Sequence, residues 1–165
     1  MGKKGKRIYA INSPCALQKV TLLLSISSRG RYFGQFMQGS ASTPVFGHFM
    51  LALVKYMGDN SAAAILDSSA FHKTAFALGC MASGEVKPLF LPPYTPEGNC
   101  IELVFGLIKR KLLTISIDNV GDLALAIQTH LKLLEGSILI STFSRSFKDV
   151  CDMIKSYLNI GFNYQ

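Results

Sequence analysis

LFLPPYTPEGNCIELVFGLIKRKL, residues 89–112, runs from an apolar strand through three prolines into a basic amphipathic segment. Pro92, Pro93 and Pro96 each fix a backbone φ angle, so the chain enters the following segment in a nearly set direction. That segment predicts a helix over residues 99–113, and its first turn carries one acid, Glu102. The plain reading is a stiff strand-to-helix turn. The sharper reading is that the turn aims Glu102 at a partner elsewhere in the chain.

Working outward, VKPLFL (86–91) is an apolar strand, AFHKTAFALGCMAS (70–83) predicts a helix stopped by Gly84, and SAAAILD (61–67) is a short strand ending on Asp67. Before them, Val45, Phe49, Leu53 and Met57 recur at four-residue spacing. Thr43 as cap and Pro44 at the first helical position complete a helix. VTLLLSIS (20–27) and RYFGQFMQG (31–39) flank Ser28, Arg29 and Gly30, and predict a β-hairpin. RIYAI (7–11) is a further short strand, and residues 1–7 read as a basic arm. DNVGDLALAIQTHLKLLE (118–135) and FSRSFKDVCDMIKSYL (143–158) predict C-terminal helices. Phe33, Phe36, Phe46, Phe49, Phe90 and Phe105 read as core. Strands alternating with helices predict parallel strands joined by crossover helices, an α/β sheet with the hairpin on one side. Sites in open sheets form at the carboxyl ends of strands, where Asp67 stands.

At 165 residues the chain is expected to form a single domain spanning residues 1–165. Only 16% of residues are charged while 49% are apolar, which predicts a core or interface deeper than average. No stretch has the 18 or more uninterrupted apolar residues of a membrane span. MGKKGKR followed by VTLLLSIS imitates a signal peptide, but Asn12, Ser13, Pro14, Gln18 and Lys19 separate the two. Cys15, Cys80, Cys100 and Cys151 are too scattered for a zinc site or disulfide framework, which suits a reducing compartment. An intracellular location is expected, the nucleus in a eukaryote or the cytoplasm in a bacterium. Residues 1–58 hold eight Lys or Arg and no acid, so nearly the whole +7 net charge sits in the first third. That imbalance favours a polyanion such as DNA or RNA. For Lys3, Lys4, Lys6 and Arg7 alone, a solvated tail is an equal alternative.

Asp67 and Glu102 are separated by one helix and one strand, a crossover unit that returns the chain beside its starting point. Two acids at one sheet edge repel unless a cation lies between them. Mg²⁺ is suited to that place, because it takes one or two carboxylates plus phosphate oxygens.

ILDSSAFHKT together with LFLPPYTPEGNCIELVFGLIKRKL resembles the second and third catalytic blocks of DDE superfamily transposases, nearest to the mariner-type and insertion-sequence-type branch. The resemblance rests on both blocks and on the 34 residues between Asp67 and Glu102. It implies an RNase H-like mixed sheet with flanking helices. It also implies Asp67 and Glu102 as catalytic metal ligands for Mg²⁺ or Mn²⁺, and DNA as the partner. The implied chemistry is phosphodiester cleavage and strand transfer in DNA transposition, with two ions about 3.5–4 Å apart. A homo-oligomer is compatible with this reading, whereas a membrane or a small-molecule substrate is not expected.

The match departs from the family at three points. Ser68 stands where the family has Asn, and Cys100 where it has Pro. The family's first acid belongs to the central opening strand, yet no acid precedes Asp59 here. The fold is therefore expected to lack that strand, which lies between the hairpin and the Asp67 strand, and the chain alone to be inactive. The alternative is a non-catalytic DNA-binding or assembly module. Lys109, Arg110 and Lys111 suit a DNA backbone and suit equally the last turn of a helix. His72 reads as packed or exposed, with a place near metal or phosphate as the family's alternative.

Overall fold

The computed structural model describes residues 20–58, 61–92, 95 and 98–160, the last eight as backbone only. Val20–Ile26 (β1) and Tyr32–Gln38 (β2) form the expected antiparallel hairpin, with Leu22 opposite Phe36 and Leu24 opposite Gly34. Helix α1 spans Thr43–Met57. Ala62–Leu66 (β3) pairs in parallel with Val86–Phe90 (β4), so that Leu66 faces Phe90. Between them lie a 3₁₀ turn, Ala70–Lys73, and α2, Ala75–Ala82. Helices α3 (Cys100–Leu112), α4 (Val120–Leu134) and α5 (Ser137–Ile160) follow. The mixed α/β architecture agrees with an RNase H-like fold.

Four local expectations are corrected. The segment 70–83 is broken at Thr74, whose hydroxyl accepts from Ala77 N–H and starts α2 afresh. The residue capping α1 is Ser42 rather than Thr43, and its side chain makes no capping hydrogen bond. Helix α5 begins at Ser137, six residues before the expected start, because packing of the fully buried Leu139 outweighs the weak helix preference of its isoleucine neighbours. Phe90 is 36% exposed and so is not core; Lys73 Nζ lies 5.3 Å from its ring centroid. RIYAI and the basic arm lie outside the described residues.

The strands do not form one sheet. Among the described residues β1–β2 and β3–β4 are separate two-stranded sheets. Side chains alternate across the hairpin. Leu23 and Phe33 join a core of Phe46, Phe49, Met50, Ala77, Met81 and Val86 beneath α1 and α2. Leu22, Leu24, Ile26, Tyr32 and Phe36 pack on the opposite face, against Val104, Ile108, Ile127, Leu131 and Leu139 of α3, α4 and α5. Both faces of the hairpin are thus covered by helices. Ala64 and Leu66 of β3 join the α1–α2 core, so both sheets share one helical roof.

Two glycines pin the hairpin to the helical tail. Gly136 N–H donates to Gly30 O at 2.9 Å, where α4 and α5 meet at a 79° bend. Gly30 has φ +76° and a Cβ there would collide with the Gly136 backbone. No single helix among the described residues is long and apolar enough to cross a membrane. Gly30→Ala is expected to destabilise the fold by about 1–3 kcal/mol, read as a lower urea midpoint with an unchanged slope.

Candidate active site

The carboxyl end of β3 is tied to the end of β4 beyond the ladder itself. Leu91 N–H donates to Leu66 O at 2.8 Å, and Ser68 Oγ donates to Leu91 O at 2.7 Å. Asp67 sits between these two bonds. Its neighbour Ser68 therefore closes the strand ends together.

Asp67 Oδ1 accepts from Ser69 N–H at 2.9 Å, the local turn typical of an aspartate that bonds the backbone two residues on. The same oxygen lies 2.8 Å from His72 Nδ1, in a pair whose Asp67 side chain is 50% exposed and whose His72 side chain is 12% exposed. His72 is held from the core side, with its ring centroid 4.3 Å from both Phe46 and Phe71. Partial burial is the largest single influence on the Asp67 carboxyl and pushes its pKa up. The hydrogen bonds from Ser69 and the charge and hydrogen bond of His72 together outweigh it, and the pKa lies below the ordinary aspartate value. Asp67 is not a helix cap; that role falls to Thr74.

The second carboxylate is delivered by the turn after β4. Thr95 Oγ1 donates to Pro92 O at 2.6 Å, and Gly98 N–H donates to Thr95 O at 3.2 Å. Gly98 returns against Leu91, since a Cβ there would touch the Leu91 and Val150 side chains. Asn99 Oδ1 then accepts from Ile101 N–H and opens α3. Glu102 lies in the first turn, exposed, one loop away from the edge that holds Asp67. Pro93, Tyr94, Pro96 and Glu97 lie outside the described residues.

Lys109, Arg110 and Lys111 are exposed together on the last turn of α3. Lys3, Lys4, Lys6 and Arg7 lie outside the described residues. Sequence reasoning passed over Lys73, which stands over Phe90 at the end of β4. It also leaned toward a merely packed His72, because a histidine five residues beyond an acid has no periodic reason to meet it. The 3₁₀ turn supplies that reason, bending the chain so that His72 Nδ1 reaches back to Asp67.

Carboxylate oxygens are the ligand type that Mg²⁺ or Mn²⁺ prefers. Yet Asp67 Oδ1 is already committed to Ser69 and His72, and among the described residues no three His, Cys, Asp or Glu side chains gather as a metal-holding group. The described residues do not by themselves make a complete metal site.

A mixed α/β unit with Asp67 at the end of β3 and Glu102 in the first turn of α3 is consistent with an RNase H-like fold. Residues 1–124 match the family described as DDE superfamily endonuclease. The chain belongs to that family, and its domain is of the transposase-derived nuclease type. No curated protein matches it. Nucleases of this superfamily generally use divalent metals, and the family implies DNA as the partner.

A group with a depressed folded-state pKa contributes stability above the unfolded-state pKa and loses it as pH falls through the folded value. Asp67→Asn is therefore expected to lower the urea midpoint at pH 7. The difference from the parent protein is expected to vanish below the pKa of an unfolded aspartate, about 3.9, as native Asp67 protonates.

Proposed function

We propose that this domain holds DNA with the scaffold of a DDE nuclease, with Asp67 and Glu102 as the two catalytic-type carboxylates, and that these 165 residues alone do not cut it. The observation that carries this reading is the state of Asp67. Its carboxylate stands at the end of β3, where Oδ1 accepts from Ser69 N–H and lies 2.8 Å from His72 Nδ1.

Cleavage by in-line displacement needs charge placed against both the attacking and the leaving oxygen. Asp67 and Glu102 are two acids, and the acid-free first 58 positions add no third. Strand transfer needs the same site and is absent for the same reason. What survives is the electrostatic part. Lys109, Arg110 and Lys111 on α3, with the basic residues of the first third, offer cations to a phosphate backbone. Helices α4 and α5 share a core with α3 and the hairpin, which supports one domain running through the C-terminal helices.

A supercoiled plasmid incubated with the protein and Mg²⁺ or Mn²⁺ is expected to remain un-nicked. Robust nicking that Asp67→Asn abolishes would overturn the inactive reading. In a salt titration, DNA affinity is expected to fall steeply, and the combined K109A, R110A and K111A changes to flatten the slope of log K against log salt by up to about 3. Affinity indifferent to salt would remove the DNA-holding reading. EDTA is expected to leave binding unchanged.

A further inference from the structure

The turn between β1 and β2 carries two exposed arginines, Arg29 and Arg31, on a backbone fixed from several sides. Ser27 N–H donates to Arg31 O at 2.8 Å, Gly30 N–H to Ser27 O at 3.0 Å, and Arg31 N–H to Ser27 Oγ at 3.1 Å. Gly136 N–H reaches Gly30 O from the bend between α4 and α5. The Arg31 side chain is fixed as well. Its Nη2 donates to the Tyr56 hydroxyl at 2.9 Å, and its Cζ lies 5.1 Å from the Tyr56 ring centroid. The Tyr56 ring in turn lies 5.1 Å from that of Phe33, which packs against the α1–α2 core. An exposed arginine is thus held in place by an aromatic residue that leans on the core.

A guanidinium has five N–H donors, and Tyr56 takes one of them. Lys55, exposed on the last turn of α1, is the neighbour of Tyr56. Among the described residues no carboxylate forms an ion pair with Arg29, Arg31 or Lys55. Glu135, at the α4–α5 bend, is an acid facing this end: burial and then the charge of Glu135 raise the pKa of Tyr32, next to Arg31.

This end of the molecule is remote from Asp67. Helix α5 starts beside the contact of Gly136 with Gly30 and leads to Val150, which lies against Gly98, itself beside Leu91 at the acid edge. The helix from Ser137 to Val150 spans about 20 Å. Helix α3 starts near Val150, and its Ile108 shares a core with Leu139 in the first turn of α5. Lys109, Arg110 and Lys111 therefore lie toward the end that carries the hairpin turn.

We infer that Arg29, Arg31 and Lys55 form a contact for the phosphate backbone of duplex DNA at the hairpin turn, with Tyr56 positioning Arg31. Resting on the DNA-holding reading above, this contact places the duplex at the end of the domain away from the acids. A guanidinium already held in place loses little freedom when it grips a phosphate through parallel N–H bonds.

Fluorescence anisotropy of a labelled DNA duplex with the full chain, across a KCl series, tests this. Arg31→Ala is expected to weaken binding about fivefold and to flatten the slope of log K against log salt by about 0.9, the share of one phosphate contact. Arg29→Ala and Lys55→Ala are expected to flatten it similarly. Tyr56→Phe keeps every charge and the ring, so it is expected to weaken binding about threefold with the slope unchanged, and Arg31→Lys to do the same. Lys148→Ala, which removes an exposed charge near the Val150 end of α5, is expected to change neither quantity. Steep salt dependence that Arg31→Ala leaves intact would overturn this inference alone. An equal flattening by Lys148→Ala would also overturn it, because net charge rather than place would then decide. Unchanged affinity in Tyr56→Phe would remove the positioning role. A parent chain that binds no DNA would remove the DNA-holding reading and this contact with it. Tighter binding of an RNA duplex of the same sequence would overturn the assignment to DNA.

Discussion

The parallel pairing of β3 with β4 is the constraint on which the site depends. It sets Leu66 against Phe90 and so places Asp67 beside Leu91, across a stretch of chain that holds a 3₁₀ turn and a whole helix. Parallel strands need such a crossover, and it returns the chain beside the end of β3 that carries Asp67. Two further hydrogen bonds, Leu91 N–H to Leu66 O and Ser68 Oγ to Leu91 O, extend the pairing past the last ladder residues. A serine in place of the family's asparagine is therefore no idle substitution. It binds the backbone of the neighbouring strand and leaves the environment of Asp67 to Ser69 and His72.

That environment decides the chemistry. An aspartate that accepts from a backbone N–H and lies beside a histidine is stabilised in the charged form. His72 is 12% exposed and packed between Phe46 and Phe71, so its position is set by the core rather than by the site. The depressed pKa of Asp67 is thus a property of a structural ion pair as much as of a catalytic one. The family assignment places the chain among DDE superfamily endonucleases.

The split between the two sheets follows from the same economy. Among the described residues no strand pairing joins them; both pack under α1 and α2, the hairpin is enclosed on its other face as well, and hydrophobic burial holds them together. Burial is non-directional and tolerates such a gap, whereas backbone pairing does not. Gly30 and Gly136 add the one close backbone approach that locks the hairpin to the helical tail.

Much of this was legible in the residues themselves. Two apolar strands joined by a short polar connection with glycine announced the hairpin, and four-residue spacing announced α1. These are local effects, decided within a few residues. The meeting of His72 with Asp67, the exposure of Phe90, the break at Thr74 and the early start of α5 at Ser137 were decided by tertiary structure. Each depends on which neighbour a side chain finds after the crossover closes and the helices pack, and that information is spread over residues far apart in the chain.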